Sequence, residues 1–514
     1  MNYMFNNFYE LISFHASKRK NKTALFLNDE TVSYAEVKDA ADKLAAYLSD
    51  KGVKKGDKVA LFLRNSTEFI YAIFAVSKLG AILVPINTFL KSEELSYILQ
   101  DSGSTFLIAS AIHDKVVNNS KASSLCRFIL WEGDEDVAGE SHLHFDEALA
   151  YDKNVESQAG ALEDTAVLVY TSGTTGKPKG AMLSNKNILS NADSGRKTIN
   201  VKPKDRAIVF LPMFHSFTFS IGIMLPLYVG ASIVIIQSIQ PFSNIFKQTL
   251  TKKVTIFFGI PDVYNALAKA KLPWYFMWFN RIRAFISGAA ALQPKTLDAM
   301  AKKFKRATLL EGYGLSEASP AVCMNTFKKQ KAGSVGTALY GYEMKIVDEE
   351  MNEVHNGTIG DIIVKGDNVM QGYLNRPSAT EESIVNGWLL TGDMGYMDDE
   401  GFLFIVDRRK DLIISKGINI YPREIEEVID AYDGVGASAV IGIVDEKSGE
   451  VPIVYIELAE GVSRLDEVGL KKYMKEHLAN YKIPKQIHVI ETLPKNATGK
   501  VLKRVLKENL REEA

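Results

Sequence analysis

Tyr170-Thr171-Ser172-Gly173-Thr174-Thr175-Gly176-Lys177-Pro178-Lys179-Gly180 follows directly on the apolar run Ala166-Val167-Leu168-Val169, and this junction decides the fold. An unbroken apolar run of this length suits a strand buried on both faces, as in a parallel sheet covered by helices. Open sheets of that kind take their ligands in the loops beyond the carboxyl ends of the strands. Hydroxyls and bare glycine amides can wrap phosphate oxygens, and the two lysines offset their charge. The loop is not a Walker A motif. Only two residues separate Gly173 from Gly176, and Pro178 stands where a metal-binding Ser or Thr would be required. A flexible surface turn is the bland alternative, but a chance turn seldom combines these residues immediately after a strand.

Upstream, helical spacing over Tyr34–Ser49 and Glu68–Lys78 alternates with apolar runs at Lys58–Leu63 and Ala81–Pro85, the pattern of βαβ units. Downstream, Ser232–Ile236, Val254–Phe258 and Ala284–Ser287 read as further strands. From Ala332 to Asp407 the texture changes to short alternating strands with Gly- and Asp-rich turns. After the charged knot Asp407-Arg408-Arg409-Lys410-Asp411, αβ alternation resumes with a helix opening at Pro422. The predicted class is α/β. A large N-terminal domain, 1–409, comprises αβ sheet subdomains at 1–164 and 165–331 and a β-rich subdomain at 332–409. A small α+β C-terminal domain occupies 410–514.

The 514 residues are 46% apolar and 24% charged, which suits several packed domains rather than a disordered or stapled chain. Lys plus Arg number 61 against 62 Asp plus Glu, so no net field favours nucleic acid, and phosphate binding must come from local placement. Cys126 and Cys323 cannot build a disulfide framework, and neither a CxxC nor an HExxH spacing offers zinc a site, which fits a reducing cytoplasm. Residues 207–246 carry no Lys, Arg, Asp or Glu, yet Pro212, Gly222, Pro226, Gly230 and Pro241 cut the stretch too short for a membrane span.

Five motifs, in order, resemble the adenylate-forming superfamily of acyl-CoA synthetases, peptide-synthetase adenylation domains and firefly-type luciferases, and most resemble its bacterial long-chain fatty acid–CoA ligases. The loop at 170–180 is similar to that family's phosphate loop. Glu311-Gly312-Tyr313-Gly314-Leu315-Ser316-Glu317 resembles its adenine and magnesium motif, with Ser316 replacing the commoner threonine. Trp388-Leu389-Leu390-Thr391-Gly392-Asp393 resembles the ribose segment. Asp407–Asp411, running on to Gly417–Glu426, resembles the joint between its domains, and Pro494–Lys500 the loop bearing the catalytic lysine.

The resemblance implies a chemistry. A carboxylate resists a thiol until it is activated, so its oxygen first attacks the α-phosphorus of ATP to give an acyl-adenylate. Cations must neutralise the anion-on-polyanion transition state. It also implies roles. Lys500 and His215 are catalytic, His215 gating the carboxylate from the motif Pro212-Met213-Phe214-His215. The nucleotide is held by Thr171, Ser172, Gly173, Thr174, Thr175, Gly176, Lys179, Gly312, Tyr313, Gly314, Ser316, Asp393, Arg408 and Lys500. Mg²⁺ falls to Glu317 and Thr171, the hinge to Lys410 and the coenzyme A side to Gly417. Taken alone, Tyr313 serves equally as a packed aromatic, Asp393 as a turn cap and His215 as a core histidine; the ordered set lifts them. The family's usual glycine soon after the histidine is replaced by Phe217-Thr218-Phe219.

Gly314 stands where relatives handling acetate place a tryptophan, which implies an open acyl pocket bounded by His215 and Gly314. The uncharged stretch offers no acidic partner to an amino acid's ammonium group. The expected substrates are therefore ATP, coenzyme A and a medium- to long-chain fatty acid. Rivals are an acyl-AMP ligase loading a carrier protein, an aryl-CoA ligase of the coumarate type and, remotely, a silent lipid-binding protein. The cluster Trp274-Tyr275-Phe276-Met277-Trp278-Phe279 is read as a core cluster, the lining of an apolar tunnel, or a contact with lipid headgroups at the inner face of a membrane. A homodimer is left open.

Overall fold

The computed structural model describes residues 3–133, 143–171, 177–290, 292–415, 418–445, 448–496 and 499–513. Its contacts divide the chain into a larger unit, 1–343 with 364–389, and a smaller one, 344–363 with 390–514.

Among the described residues the larger unit carries two long sheets. One orders its eight strands as 372–373, 179–184, 165–171, 82–85, 58–62, 106–110, 128–132 and 143–144. It is parallel from Thr165–Thr171 through Leu143–His144, with the antiparallel pair Lys179–Ser184 and Gly372–Tyr373 at the other edge. The other orders nine strands as 337–338, 321–324, 308–314, 284–287, 256–259, 206–209, 232–235, 23–27 and 30–33. Val167, Leu168, Ile233, Val234, Phe257 and Phe285 are buried, as strands covered on both faces require. Helix Tyr34–Asp50 opens on a capping box in which Ser33 accepts from the Glu36 N–H and the Glu36 carboxylate accepts from the Ser33 N–H.

The strands expected from hydrophobic runs form at or within a few residues of their predicted places, but the sheets cut the chain differently from a division at 164/165. Strands 165–171 and 179–184 join the sheet built by 58–144, and strands 23–27 and 30–33 join the sheet built by 206–338. An apolar period marks a strand and its buried faces but does not name its neighbour. The uncharged stretch 207–246 becomes strands Arg206–Val209 and Ser232–Ile235 around the π-helix Thr218–Met224. Among the described residues no helix is long and apolar enough to cross a membrane.

In the smaller unit, Val435–Asp445 and Gly449–Leu458 form an antiparallel pair, and Ile487–Ile490 runs parallel to the second. Helices Pro422–Asp430 and Glu467–His477 cover one face through Ile425, Ile429, Leu470 and Met474. The unit begins well before residue 410. Arg409 pairs with Asp361 and, at 2.8 Å, with Glu349, and Asp407 Oδ2 accepts the Arg423 N–H at 2.8 Å, so residues 344–363 and 390–409 group with the C-terminal residues.

Candidate active site

In the larger unit the site grows from the end of strand Thr165–Thr171. The Thr171 hydroxyl donates to Glu317 Oε1 at 3.1 Å, and the Tyr373 hydroxyl donates to the same oxygen at 2.9 Å. Glu317 sits on the short 3₁₀ turn Ser316–Ala318 just beyond strand Thr308–Gly314. That turn is braced from several sides. The Met370 N–H donates to the Glu317 carbonyl at 2.8 Å, and the Asn368 amide donates to the carbonyls of Ala318 and Ala321. Burial raises the Tyr373 hydroxyl above the ordinary phenol range, and the Glu317 carboxylate beside it adds to the shift, so Tyr373 stays a neutral donor. Lys179 lies over the Tyr373 ring at 5.2 Å. Ser172, Gly173, Thr174, Thr175 and Gly176 lie outside the described residues.

His215 is tied to this turn through its neighbour, because the hydroxyls of Ser216 and Ser316 meet at 2.9 Å. Its Nδ1 accepts the Phe217 N–H at 3.3 Å, and burial lowers its pKa to about 4, so the ring is neutral near pH 7. Phe217 leads into the π-helix Thr218–Met224. Its ring meets Phe258 edge-on at 6.2 Å and lies close over Gly288. Single-turn π segments inside helices recur at functional sites.

Gly312, Tyr313 and Gly314 run along the strand that pairs with Ala321–Met324, and Tyr313 is half-buried. Gly314 is exposed, and the ladder shifts register beside it. An ideal Cβ there would stand 2.0 Å from the Pro320 carbonyl oxygen, far inside van der Waals contact. Close backbone approach thus accounts for this glycine without any appeal to pocket space.

In the smaller unit, Asp393 and Arg408 face each other across an antiparallel pair, with Arg408 Nε 3.1 Å from Asp393 Oδ1. Asp393 is buried, and Arg408 continues into the 3₁₀ turn Arg409–Asp411 that holds Lys410. Burial lowers the Lys410 pKa, and the Arg408 charge lowers it further. Lys495 and Val501 form an antiparallel bridge beside Lys500, whose own N–H donates to Asn496 Oδ1 at 2.9 Å. Burial chiefly, then the charges of Arg408 and Lys410, bring its pKa down to about 8 against the pull of Asp393 and Asp411. Gly417 lies outside the described residues.

Sequence reasoning missed Tyr373, Asn368 and Ser216. Tyr373 lies on a two-residue strand whose position depends on pairing with Ala181 and Met182, and no hydrophobic period announces so short an element. Among the described residues no group of three His, Cys, Asp or Glu could hold a metal. Glu317 with the Thr171 hydroxyl still fits Mg²⁺, which characteristically takes one or two carboxylates and completes its shell with substrate phosphates and water.

Residues 13–374 match the AMP-binding enzyme family, and residues 424–500 match the AMP-binding enzyme C-terminal domain. The chain is 33% identical over 484 residues to a feruloyl-CoA synthase of Amycolatopsis sp, covering 94% of each. It is 31% identical over 533 residues to a long-chain-fatty-acid–CoA ligase of Salmonella typhimurium, covering 97% of this chain and 93% of that one. A solved o-succinylbenzoate coenzyme A synthetase from Bacillus subtilis, in complex with ATP and magnesium ion, superposes with a TM-score of 0.85 at 33% identity, covering 97% of this chain and 99% of that one.

Proposed function

Because the chain belongs to the AMP-binding enzyme family and is an AMP-forming acid–CoA ligase, we propose that its acid is a medium- to long-chain fatty acid. The observation that carries this reading is the setting of His215. His215 is a neutral imidazole close in the chain to the apolar residues Phe214, Phe217 and Phe219, and residues 207–246 supply no charged side chain for a polar or amino-bearing acid. In this reading a carboxylate oxygen attacks the α-phosphorus of ATP and pyrophosphate leaves. The coenzyme A thiol then attacks the acyl carbonyl carbon and AMP leaves. His215 orients the carboxylate without competing for its charge, Asp393 and Arg408 hold the ribose, and the Lys500 ammonium offsets charge on the phosphates during adenylation. Lys410 is the hinge between the half-reactions and Gly417 belongs to the coenzyme A side. Glu317 and Thr171 would hold Mg²⁺, which supplies further charge neutralisation on the phosphates.

An aryl acid is the second reading, favoured by the edge-on pair Phe217–Phe258, which could flank a flat ring. The deciding experiment measures AMP release across the saturated acids from acetate to stearate together with ferulate and coumarate, with and without coenzyme A. The proposal expects the highest kcat/KM on the longer saturated acids and full turnover only with coenzyme A. Preference for ferulate or coumarate overturns the fatty acid, and turnover indifferent to coenzyme A overturns the acceptor.

A further inference from the structure

Helix Trp274–Phe279 leaves most of its rings in solvent. Trp274 is 74% exposed, Trp278 71%, Phe279 63% and Tyr275 48%, while Phe276 is buried. Scattered exposed apolar residues are ordinary, but four large rings on six consecutive residues form a patch that calls for a partner. The patch stands on a firm base. Phe276 packs against Phe246 at 5.1 Å and belongs with Phe285 and Phe304 to one buried cluster.

The chain segments that carry and flank these rings hold charge of one sign. No acid occurs between Asp262 and Asp298, or between Asp298 and Glu311, although the whole chain has a net charge of −1. Within those segments Lys269, Lys271, Arg281, Lys302, Lys305 and Arg306 are exposed. The two basic segments are clipped together. The Arg306 guanidinium donates to the carbonyls of Met277 and Trp278, both at 2.7 Å, and the Lys303 ammonium donates to those of Leu267 and Ala268 at 2.8 and 3.1 Å. A cavity of about 200 Å³ opens between them, lined by Met277, Asn280, Lys303, Lys305 and Arg306 among others.

We propose that this face docks on an anionic lipid surface, with the rings at the boundary of headgroups and acyl chains and the basic rim on headgroup phosphates. Trp and Tyr present an apolar body with a polar edge, which suits them to that boundary, and each nearby Lys or Arg adds attraction to anionic lipid. Protein–protein interfaces are depleted of Lys relative to the rest of the surface, whereas the segments that carry these rings expose Lys271, Lys302 and Lys305. The inference holds whichever acid the enzyme activates.

The test is co-sedimentation of the full chain with phosphatidylcholine vesicles, with and without phosphatidylglycerol, at low and high salt, alongside light scattering for mass. The wild type should partition to the anionic vesicles and release as salt rises. Trp274→Ser with Trp278→Ser, and separately Lys302→Glu with Lys305→Glu, should each lose about tenfold or more in partitioning while keeping the parental melting temperature. Tryptophan emission should shift to the blue on the anionic vesicles. Equal partitioning of the wild type and both variants overturns the proposal. So does a vesicle-independent doubling of mass that the tryptophan variant removes, or binding to a single-stranded oligonucleotide in place of vesicles.

Discussion

A Cβ built on Gly314 would stand 2.0 Å from the carbonyl oxygen of Pro320 and 3.0 Å from the Cα of Ala321. Both contacts are backbone, so no rotamer relieves them. Gly314→Ala and Gly314→Trp should therefore each destabilise the fold by on the order of 2 kcal/mol, before any question of acid preference arises. Urea unfolding followed by circular dichroism checks this. A Gly314→Ala protein with the parental midpoint would return this glycine to the role of a pocket floor.

Glu317 holds two hydroxyl donors on one oxygen, and they are separable. Removing one neutral hydrogen bond costs about 0.5–1.5 kcal/mol, so Tyr373→Phe should slow ATP–pyrophosphate exchange by roughly threefold to tenfold. Glu317→Gln, which removes the charge itself, should cost a hundredfold or so. If Tyr373→Phe costs as much as Glu317→Gln, the tyrosine touches the reacting groups directly instead of positioning the carboxylate.

With Lys500 at about 8, the free enzyme loses this ammonium as pH rises through that value. The kcat/KM for ATP in adenylation should fall about tenfold per pH unit above it, since that parameter reports the free enzyme. Lys500→Arg stays charged and should remove this limb whatever its own rate. His215, neutral down to about 4, should add no limb near pH 6.5. A fall centred near 6.5 that vanishes in His215→Asn would contradict its neutral state.

His15 is buried, with Nε2 at 3.1 Å from the Tyr228 carbonyl and Nδ1 without a hydrogen-bond partner among the described residues. Burial foremost brings its pKa down to about 4. Below pH 6.5 the unfolded chain therefore takes up a proton that the folded state refuses, so stability falls as pH drops from 6.5 toward 4. The full loss from this group is about 3 kcal/mol at most. Unfolding midpoints across that window should fall less steeply in His15→Phe, and parallel curves for the two proteins would refute the assignment.

Local patterns made the strands readable. Ala284–Ser287 forms at its expected bounds, because a short, largely apolar run states that both its faces are buried. The meeting of Thr171 with Glu317 was accessible only through the order of motifs, since nothing in either stretch points to the other. Tyr373, the brace of Asn368 and the sharing of strands between the two large sheets stayed out of reach because each is fixed by tertiary pairing rather than by its own neighbours. The aromatic run 274–279 was ambiguous for a related reason. Its period is compatible with core or surface, and only packing shows Phe276 buried and Trp274 bare.

The shared strands carry a consequence for biosynthesis. Leu25 pairs in parallel with Ile233, so the hairpin of strands 23–27 and 30–33 waits about two hundred residues for its inner neighbour. At typical elongation rates that wait lasts roughly 10–40 s, during which one edge of the hairpin is bare and open to pairing with another chain. A ribosome stalled, or a transcript truncated, before codon 232 thus releases an adhesive intermediate and not a working half of the enzyme.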